Sequence, residues 1–342
     1  MSSIQIEVGK LGSRDVRVRR RAVRKLYEMD DSDCLAAFVP LLSDEDIWFR
    51  DRARRAFDNW CGSKHADLIS DSLETVDDDT RLLFAGLLPR LGGQGEEIAE
   101  TLAESESVPI RCEVRAYQLE SGSVQQRLST AGMILSDPSH LVRRVLAKRI
   151  TTLDTATGTL TGSLLVDRHP RVIADCLAAL NSAGEDGISA TLLTRLVASS
   201  VADVRLEARL MAIRIAIQVS DFEQVARLLP DEELRIERAL IDSITDSAWQ
   251  RWAAFIEHLE HAGAWRAAAL LATSSGDPTA RELQVSLAGD DRVPVTQRLR
   301  IIDRLMVRAA DINLEELIGT LLCEDDPRLV AAAERLGSMS EV

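Results

Sequence analysis

The chain has 342 residues, of which 46% are hydrophobic and 28% are charged, and this composition excludes a disordered chain. Aromatic residues make up only 4%, which disfavours a large β-sandwich or barrel and favours an all-α protein. The formal net charge of −14 at pH 7 disfavours general binding to nucleic acids and adhesion to anionic membranes.

One short pattern recurs along the chain. An acidic turn is followed by an apolar residue and then by a position that is usually arginine, and a small or apolar residue stands three positions after the arginine. The arginine position falls at 19, 50, 81, 111, 143, 173, 205, 235, 266, 296 and 330. Successive positions are 30 to 34 residues apart, which indicates a repeat architecture. Arginine occupies eight of these positions, as Arg19, Arg50, Arg81, Arg111, Arg143, Arg205, Arg235 and Arg266.

Each repeat has room for two helices of about 10 to 14 residues and two turns. Apolar stretches with helical spacing precede most of the acidic turns, so we expect a helical hairpin in every repeat. The acidic side chains then cap the second helix of the hairpin. The second helices are predicted near 16–28, 46–60, 78–91, 108–120, 140–152, 170–182, 203–217, 232–245, 264–273, 294–309 and 327–337.

Stacked hairpins of this kind form a solenoid, in which each repeat contacts only its neighbours. The sequence therefore predicts one continuous domain over residues 1–342. Its expected fold is an all-α, right-handed superhelix of about ten or eleven helical hairpins.

The segment DSDCLAAFVPLLSDEDIWFRDRARRAF (31–57) shows the pattern in full. It resembles the HEAT-repeat family, in particular short-repeat members related to phycobilin lyases, and the resemblance covers nearly the whole chain. The resemblance implies that the repeated arginine joins a ladder between repeats by pairing with a turn aspartate. A guanidinium fork suits that role because it can bridge a carboxylate and nearby carbonyl groups. We therefore expect the eight arginines to be structural.

In such a solenoid the second helices are expected to line the concave side. The apolar positions of the first of these second helices show which of its faces is buried, and the opposite face is expected to be concave. Applying the same helical phase to the later units predicts a line of concave positions that is polar near the N-terminus and apolar in units seven to nine. The apolar line consists of Leu206, Leu210, Ile213, Ile236, Leu240 and Leu271. It is either core, sheltered by tight curvature, or a groove for a helix or peptide of a protein partner. The groove interpretation predicts a non-catalytic adaptor that binds a partner on its concave face.

The polar part of the concave line contains five basic residues, Arg20, Arg24, Arg55, Arg144 and Lys148. They support an alternative function, phosphate binding, because HEAT-like alkylpurine DNA glycosylases bind DNA along a concave basic face. Asp51 and Asp58 dilute this charge, so nucleic-acid binding is disfavoured. A second alternative, implied by the family resemblance, is a lyase that acts on a bound chromophore or modified residue.

Motifs for catalysis or cofactor binding do not occur: the chain lacks GxGxxG, GxxxxGK[ST], GxSxG and HExxH. We therefore predict no catalytic residue, no cofactor and no metal site. The five cysteines are scattered and never form a CxxC pair, which is typical of free thiols in a reducing cytosol. No stretch approaches 18 apolar residues, and the first residues do not read as a signal peptide, so we expect a cytoplasmic protein without a membrane segment.

Overall fold

The computed structural model describes residues 3–153, 157–185, 187–229, 234–243, 249–275, 277–307 and 314–340. Among these residues every regular element is a helix, and no β-strand is present. They pack as two compact units, Met1–Ile188 and Ser189–Val342. The all-α solenoid class that the repeat predicts is confirmed, whereas the single continuous array stays a prediction.

In the first unit the α-helices are α1 (Ser3–Leu11), α2 (Val16–Met29), α3 (Ile47–Trp60), α4 (Ala66–Ser72), α5 (Asp78–Leu87), α6 (Gln94–Ala103), α7 (Val108–Ser121), α8 (Val124–Ser136), α9 (His140–Arg149), α10 (Thr157–Leu165) and α11 (Pro170–Ala183). Short 3₁₀-helices precede α4 at Ser63–His65 and continue α5 and α9 at Leu88–Arg90 and Ile150–Thr152.

In the second unit the α-helices are α12 (Ala190–Val197), α13 (Ala202–Gln218), α14 (Phe222–Leu228), α15 (Leu234–Ser243), α16 (Trp249–His261), α17 (Trp265–Ser274), α18 (Arg281–Gly289), α19 (Val295–Met306), α20 (Glu315–Leu322) and α21 (Pro327–Ser340). A 3₁₀-helix at Pro278–Ala280 leads into α18. None of the described helices combines the length and the apolar character needed to cross a membrane.

The second helices of the hairpins are α2, α3, α5, α7, α9, α11, α13, α15, α17, α19 and α21. Apart from α15, each begins within one residue of its expected start. The expected range 232–245 includes residues 232–233 and 244–245, which lie outside the described residues, as do residues 308–309 of the range 294–309.

In each unit the hairpins build two layers of helices. The second helices pack side by side in chain order, from α2 through α11 in the first unit and from α15 through α21 in the second. The first helices form the other layer, with α4 against α6 and α8 against α10 in the first unit, and α14 against α16 and α18 against α20 in the second. Between the layers, apolar side chains form one hydrophobic core over residues 11–117 of the first unit and another over residues 213–336 of the second, in which neighbouring repeats bury one another.

The second hairpin departs from a regular helix pair. Its first element, Ser32–Ser43, is a 3₁₀-helix rather than an α-helix, and Pro40 lies inside it. Proline lacks the N–H that an α-helix interior requires, which favours the departure from α geometry. The segment keeps its place in the layer because Leu35, Phe38 and Leu42 are buried in the core.

Acidic residues cap α2, α3 and α5, whereas Ser139 and His169 cap α9 and α11, so the expectation of an acidic cap in every hairpin is wrong. The Asp46 carboxylate accepts a hydrogen bond from the backbone N–H of Trp48 at 2.9 Å, and Asp77 accepts one from Thr80 at 2.9 Å. Asp15 caps α2 in the same way. These carboxylates satisfy backbone donors that have no partner inside the helix, so an acidic residue marks where each of these three helices begins.

Candidate functional site

Two arginines of the first unit each bridge consecutive hairpins. The Nε and Nη2 atoms of Arg143 donate to the two carboxylate oxygens of Asp167 at 2.7 and 3.0 Å. Its Nη1 donates to the backbone carbonyls of Asp137 and Pro138 at 2.8 and 3.2 Å. Arg111 donates to the Asp137 carboxylate in the same two-point manner, at 3.0 and 3.2 Å. Each guanidinium thus ties the turn of its own hairpin to the turn of the next.

These contacts also shift the ionisation of the aspartates. Burial raises the pKa of Asp137, but hydrogen bonds from Arg111 and from a backbone N–H bring it below its ordinary value. The pKa of Asp167 is lowered in the same way, with Arg143 as the charged donor that opposes the effect of burial. Both carboxylates are therefore ionised at neutral pH and serve as partners of the ladder.

The other repeated arginines of the first unit form parts of this arrangement. Arg19 donates to the Asp44 carboxylate of the next hairpin. Arg50 donates to the backbone carbonyls of Asp44 and Glu45 in its own turn, at 2.6 and 3.0 Å. Arg81 donates within its own hairpin, to a backbone carbonyl at 2.9 Å and a carboxylate at 3.2 Å. The arginine is thus repeated more strictly than its carboxylate partner.

In the second unit the partner changes. Arg235 pairs with Glu207 at 2.7 Å, and Arg266 pairs with Glu237 at 2.5 Å. Both glutamates lie inside the preceding second helix rather than in a turn. Arg205 donates to a backbone carbonyl of its own turn at 2.6 Å.

The sequence pattern missed one ladder arginine, Arg298. It is buried, donates through Nε to the backbone carbonyl of Ala288 at 2.8 Å, and donates through Nη2 to Glu324 in the next turn. The repeat spacing pointed to Thr296, two residues earlier. The signal that could have found Arg298 is the apolar Ile301 three positions later, as in the other repeats.

The apolar line proposed as a partner groove is largely core, which corrects the groove interpretation. Four of its members, Ile213, Ile236, Leu240 and Leu271, are at most 2% exposed and belong to the core of the second unit. The remaining two, Leu206 and Leu210, are half-buried against that core. A partner could reach the four buried side chains only by separating packed helices, so they do not line an open surface.

The five basic positions assigned to phosphate binding divide into two groups. Arg20 pairs with Asp46 at 2.9 Å, and Arg144 pairs with Asp175 at 2.6 Å. Both arginines therefore form ion pairs with the next repeat. The side chains of Arg24, Arg55 and Lys148 are exposed. The first two lie on the neighbouring helices α2 and α3, whereas Lys148 lies on α9.

An aromatic side chain lies at the junction of α2 and α3. Trp48 is half-buried, and the guanidinium carbons of Arg20 and Arg52 lie 5.2 and 5.4 Å from its ring centre. Ile47 beside it is 62% exposed, and Val16, the first residue of α2, is also exposed. We call Val16, Arg20, Ile47, Trp48 and Arg52 the Trp48 surface.

A cavity of about 300 Å³ lies among α6, α7 and α8. Glu96 and Glu100 of α6, together with Glu104 just after its end, line one side, and uncharged polar side chains together with Met133 of α8 line another. Arg115 of α7 also lines the cavity, although the residue is only 8% exposed. We call this space the Arg115 cavity.

Arg115 is buried without a carboxylate partner in the part of the chain that the structure describes. Its Nη1 donates to the side-chain oxygen of Gln118 at 2.8 Å. Burial lowers the pKa of the guanidinium, while the nearby Glu104 acts in the opposite direction. At the equivalent repeat position of α3, by contrast, Arg54 donates to both oxygens of Asp77 at 2.8 and 2.7 Å. Arg54 therefore uses its guanidinium donors for an ion pair, whereas the donors of Arg115 have no carboxylate partner within the described residues.

The sequence carries a signal for Arg115 that the ladder pattern did not use. The residue lies four positions after the ladder arginine Arg111. In three other repeats of the first unit this position holds Val23, Ala85 or Ala147, all of which are buried, whereas in the second repeat it holds Arg54, which is paired with Asp77. A charged residue at a core position of a repeat marks a place where the packing differs.

Among the described residues, no group of three or more histidine, cysteine, aspartate or glutamate side chains is arranged to hold a metal ion.

Comparisons with known proteins add little to this description. No family model matches the sequence. No curated protein matches it either. Among solved structures, an engineered protein determined by the Northeast Structural Genomics Consortium aligns over 100% of both chains, with 17% identity and a TM-score of 0.40. Similarity at that level supports no statement about function, and the HEAT-repeat resemblance stays a prediction.

Proposed function

We propose that this protein is a non-catalytic helical-repeat scaffold that binds an acidic segment of a protein partner across α2 and α3. The observation that carries the proposal is the Trp48 surface, in which a half-buried tryptophan contacts two arginines and stands beside an exposed isoleucine. Tryptophan and arginine, with tyrosine, are enriched among the side chains that dominate protein-binding energies.

The tryptophan is held in place before any partner arrives. Its ring lies edge-on to Phe49, a fully buried core residue, with 5.0 Å between the ring centres. Arg20 is also fixed, because Asp46 accepts its hydrogen bond at 2.9 Å. A pre-positioned anchor loses little side-chain entropy on binding, so more of its contact energy contributes to affinity.

The charge around this surface favours an acidic partner. Arg17, Arg21 and Arg24 follow the spacing of one helix face, are exposed, and form no ion pair within the described residues. Arg55 adds an exposed charge on α3. These arginines are concentrated on two helices of a chain whose net charge is −14, so attraction of an acidic segment would be local and would set where it binds.

A protein segment suits this surface better than a nucleic acid does. Asp51 and Asp58 lie on the exposed face of α3 beside Arg55, and a phosphate backbone would be repelled at both positions. A peptide can place acidic side chains at the arginines and an apolar side chain at Ile47 and Trp48, so that both features of the surface are used.

Fluorescence anisotropy with two labelled probes tests the proposal: a peptide of glutamate, aspartate and leucine, and a DNA duplex of similar length. We expect the peptide to bind, and the double variant Arg17→Glu/Arg24→Glu to bind it at least about tenfold more weakly. The control Arg171→Glu/Arg195→Glu makes the same charge change at exposed positions on α11 and α12 and should retain binding.

Two outcomes would overturn the proposal. Tighter binding of the duplex than of the peptide would instead favour a nucleic-acid function. An equal loss in the control variant would mean that only the net charge of the chain matters.

A further inference from the structure

The Arg115 cavity lies at a gap in the layer of first helices. On either side of the cavity this layer is continuous, with α4 against α6 and α8 against α10, whereas α6 and α8 do not pack closely on each other. The volume of about 300 Å³ is at the lower end of the range for ligand pockets. The space therefore suits a ligand smaller than a typical drug molecule.

Within the described residues, the guanidinium of Arg115 uses few of its hydrogen-bond donors. A buried charge is ordinarily paired, because removing it from water without compensation is unfavourable. Arg115 is 8% exposed, and its hydrogen bond to Gln118 uses one of five guanidinium N–H donors. The planar fork of an arginine matches the two oxygens of a carboxylate, as the Arg54–Asp77 pair illustrates in the same repeat position.

One side of the cavity carries the opposite charge. Glu96 and Glu100 lie four residues apart on one face of α6, Glu104 caps the end of that helix, and all three line the cavity. The α8 side offers the uncharged Gln126 and Ser129. Three carboxylates and one guanidinium attract a cation along α6 and an anion at α7.

We propose that the Arg115 cavity binds a small zwitterion with a carboxylate and an amine joined by a short aliphatic chain. The carboxylate pairs with Arg115, and the cationic amine lies along Glu96, Glu100 and Glu104. Met133 of α8, which lines the cavity, gives the aliphatic part an apolar contact. A phosphate would be repelled by the three glutamates, and a molecule with amines alone would leave Arg115 without a partner.

Isothermal titration calorimetry with three related probes tests the match. L-Lysine carries the carboxylate and both amines, cadaverine is lysine without the carboxylate, and norleucine is lysine without the side-chain amine. We expect lysine to bind at least about tenfold more tightly than either of the other two. Equal affinity for the three probes, or no binding of lysine, would overturn the proposal.

Two variants and a control assign the effect to the cavity. In Arg115→Met, which keeps an apolar stem, lysine should bind as weakly as cadaverine. The control Arg54→Met removes the equivalent arginine of α3 and should leave lysine binding unchanged. If Arg115→Met does not fold, Ser129→Trp provides the test, because it fills the cavity from an exposed position and should abolish binding. Unchanged lysine binding in the folded Arg115→Met or Ser129→Trp variant would overturn the proposal.

Discussion

Two repeated arginines of the first unit and two of the second form their ion pairs in opposite directions, although Arg298 of the second unit also reaches forward, to Glu324. In the first unit, Arg111 and Arg143 reach forward to an aspartate in the turn of the next hairpin. In the second unit, Arg235 and Arg266 reach back to a glutamate inside the preceding second helix. The arginine keeps its place in both units because the first turn of a second helix always lies at the junction with a neighbouring repeat.

The position of the acidic residue differs between the two units. Asp137 stands six residues before Arg143, in a turn, where the guanidinium of the preceding repeat can reach it. The equivalent residue before Arg205 is Ser199, which has no charge. Glu207 supplies a carboxylate two residues after Arg205, and it is Arg235 of the following repeat that pairs with it. The arginine can therefore be preserved in a repeat while its acidic partner stands at a different position.

The largest expected effect is the loss of the Arg143 ladder contact. Replacing Arg143 with Met removes both hydrogen bonds to Asp167, and it leaves the buried carboxylate without its charged donor and two backbone carbonyls without the hydrogen bonds from Arg143. We expect the free energy of unfolding to fall by about 3 to 5 kcal/mol. Urea unfolding followed by circular dichroism measures the change, and hydrogen exchange should show faster opening of α9 and α11. A loss below about 1 kcal/mol would show that the ladder is not a major source of stability.

Replacing the carboxylate partner, Asp167, is expected to have a smaller effect on stability, and that effect depends on pH. The pKa of Asp167 lies below its ordinary value of 3.8 in the folded chain, so the unfolded chain binds a proton first as the pH falls. The stabilisation is therefore complete above the ordinary pKa and is lost as the pH falls through the lowered one. Asp167→Asn should reduce the free energy of unfolding by about 2 kcal/mol at neutral pH.

The same variant should lose less stability than the wild type between neutral pH and acid, because the titrating group is gone. Asp325→Asn, at an exposed turn position, is the matched control and should retain the acid dependence of the wild type. Urea unfolding at several pH values measures both. An acid dependence that is equally steep in Asp167→Asn and in the wild type would contradict the assignment to this carboxylate.

The sequence predicted the start of the second helices well, because the repeat position, which is arginine in eight units, recurs at nearly fixed spacing close to the beginning of each helix. It could not decide whether the apolar line was groove or core, since periodicity shows that Ile213 and Leu271 lie on an apolar face but not that other helices cover it. The 3₁₀ geometry at Pro40 and the Arg115 cavity depend on how neighbouring elements pack. No residue type alone encodes the separation of α6 from α8.

The smallest expected effect comes from Arg235, whose side chain is 57% exposed although it contacts the buried Glu207. An exposed guanidinium interacts through water of high dielectric constant, so Arg235→Met should reduce the free energy of unfolding by no more than about 1 kcal/mol. High salt should also remove most of the difference from the wild type, whereas the effect of Arg143→Met should persist, because salt screens exposed pairs far more than buried ones. Urea unfolding of both variants at low and high salt makes the comparison. A loss in Arg235→Met as large as that in Arg143→Met, and equally resistant to salt, would mean that the backward contacts stabilise the second unit as strongly as the forward contacts stabilise the first.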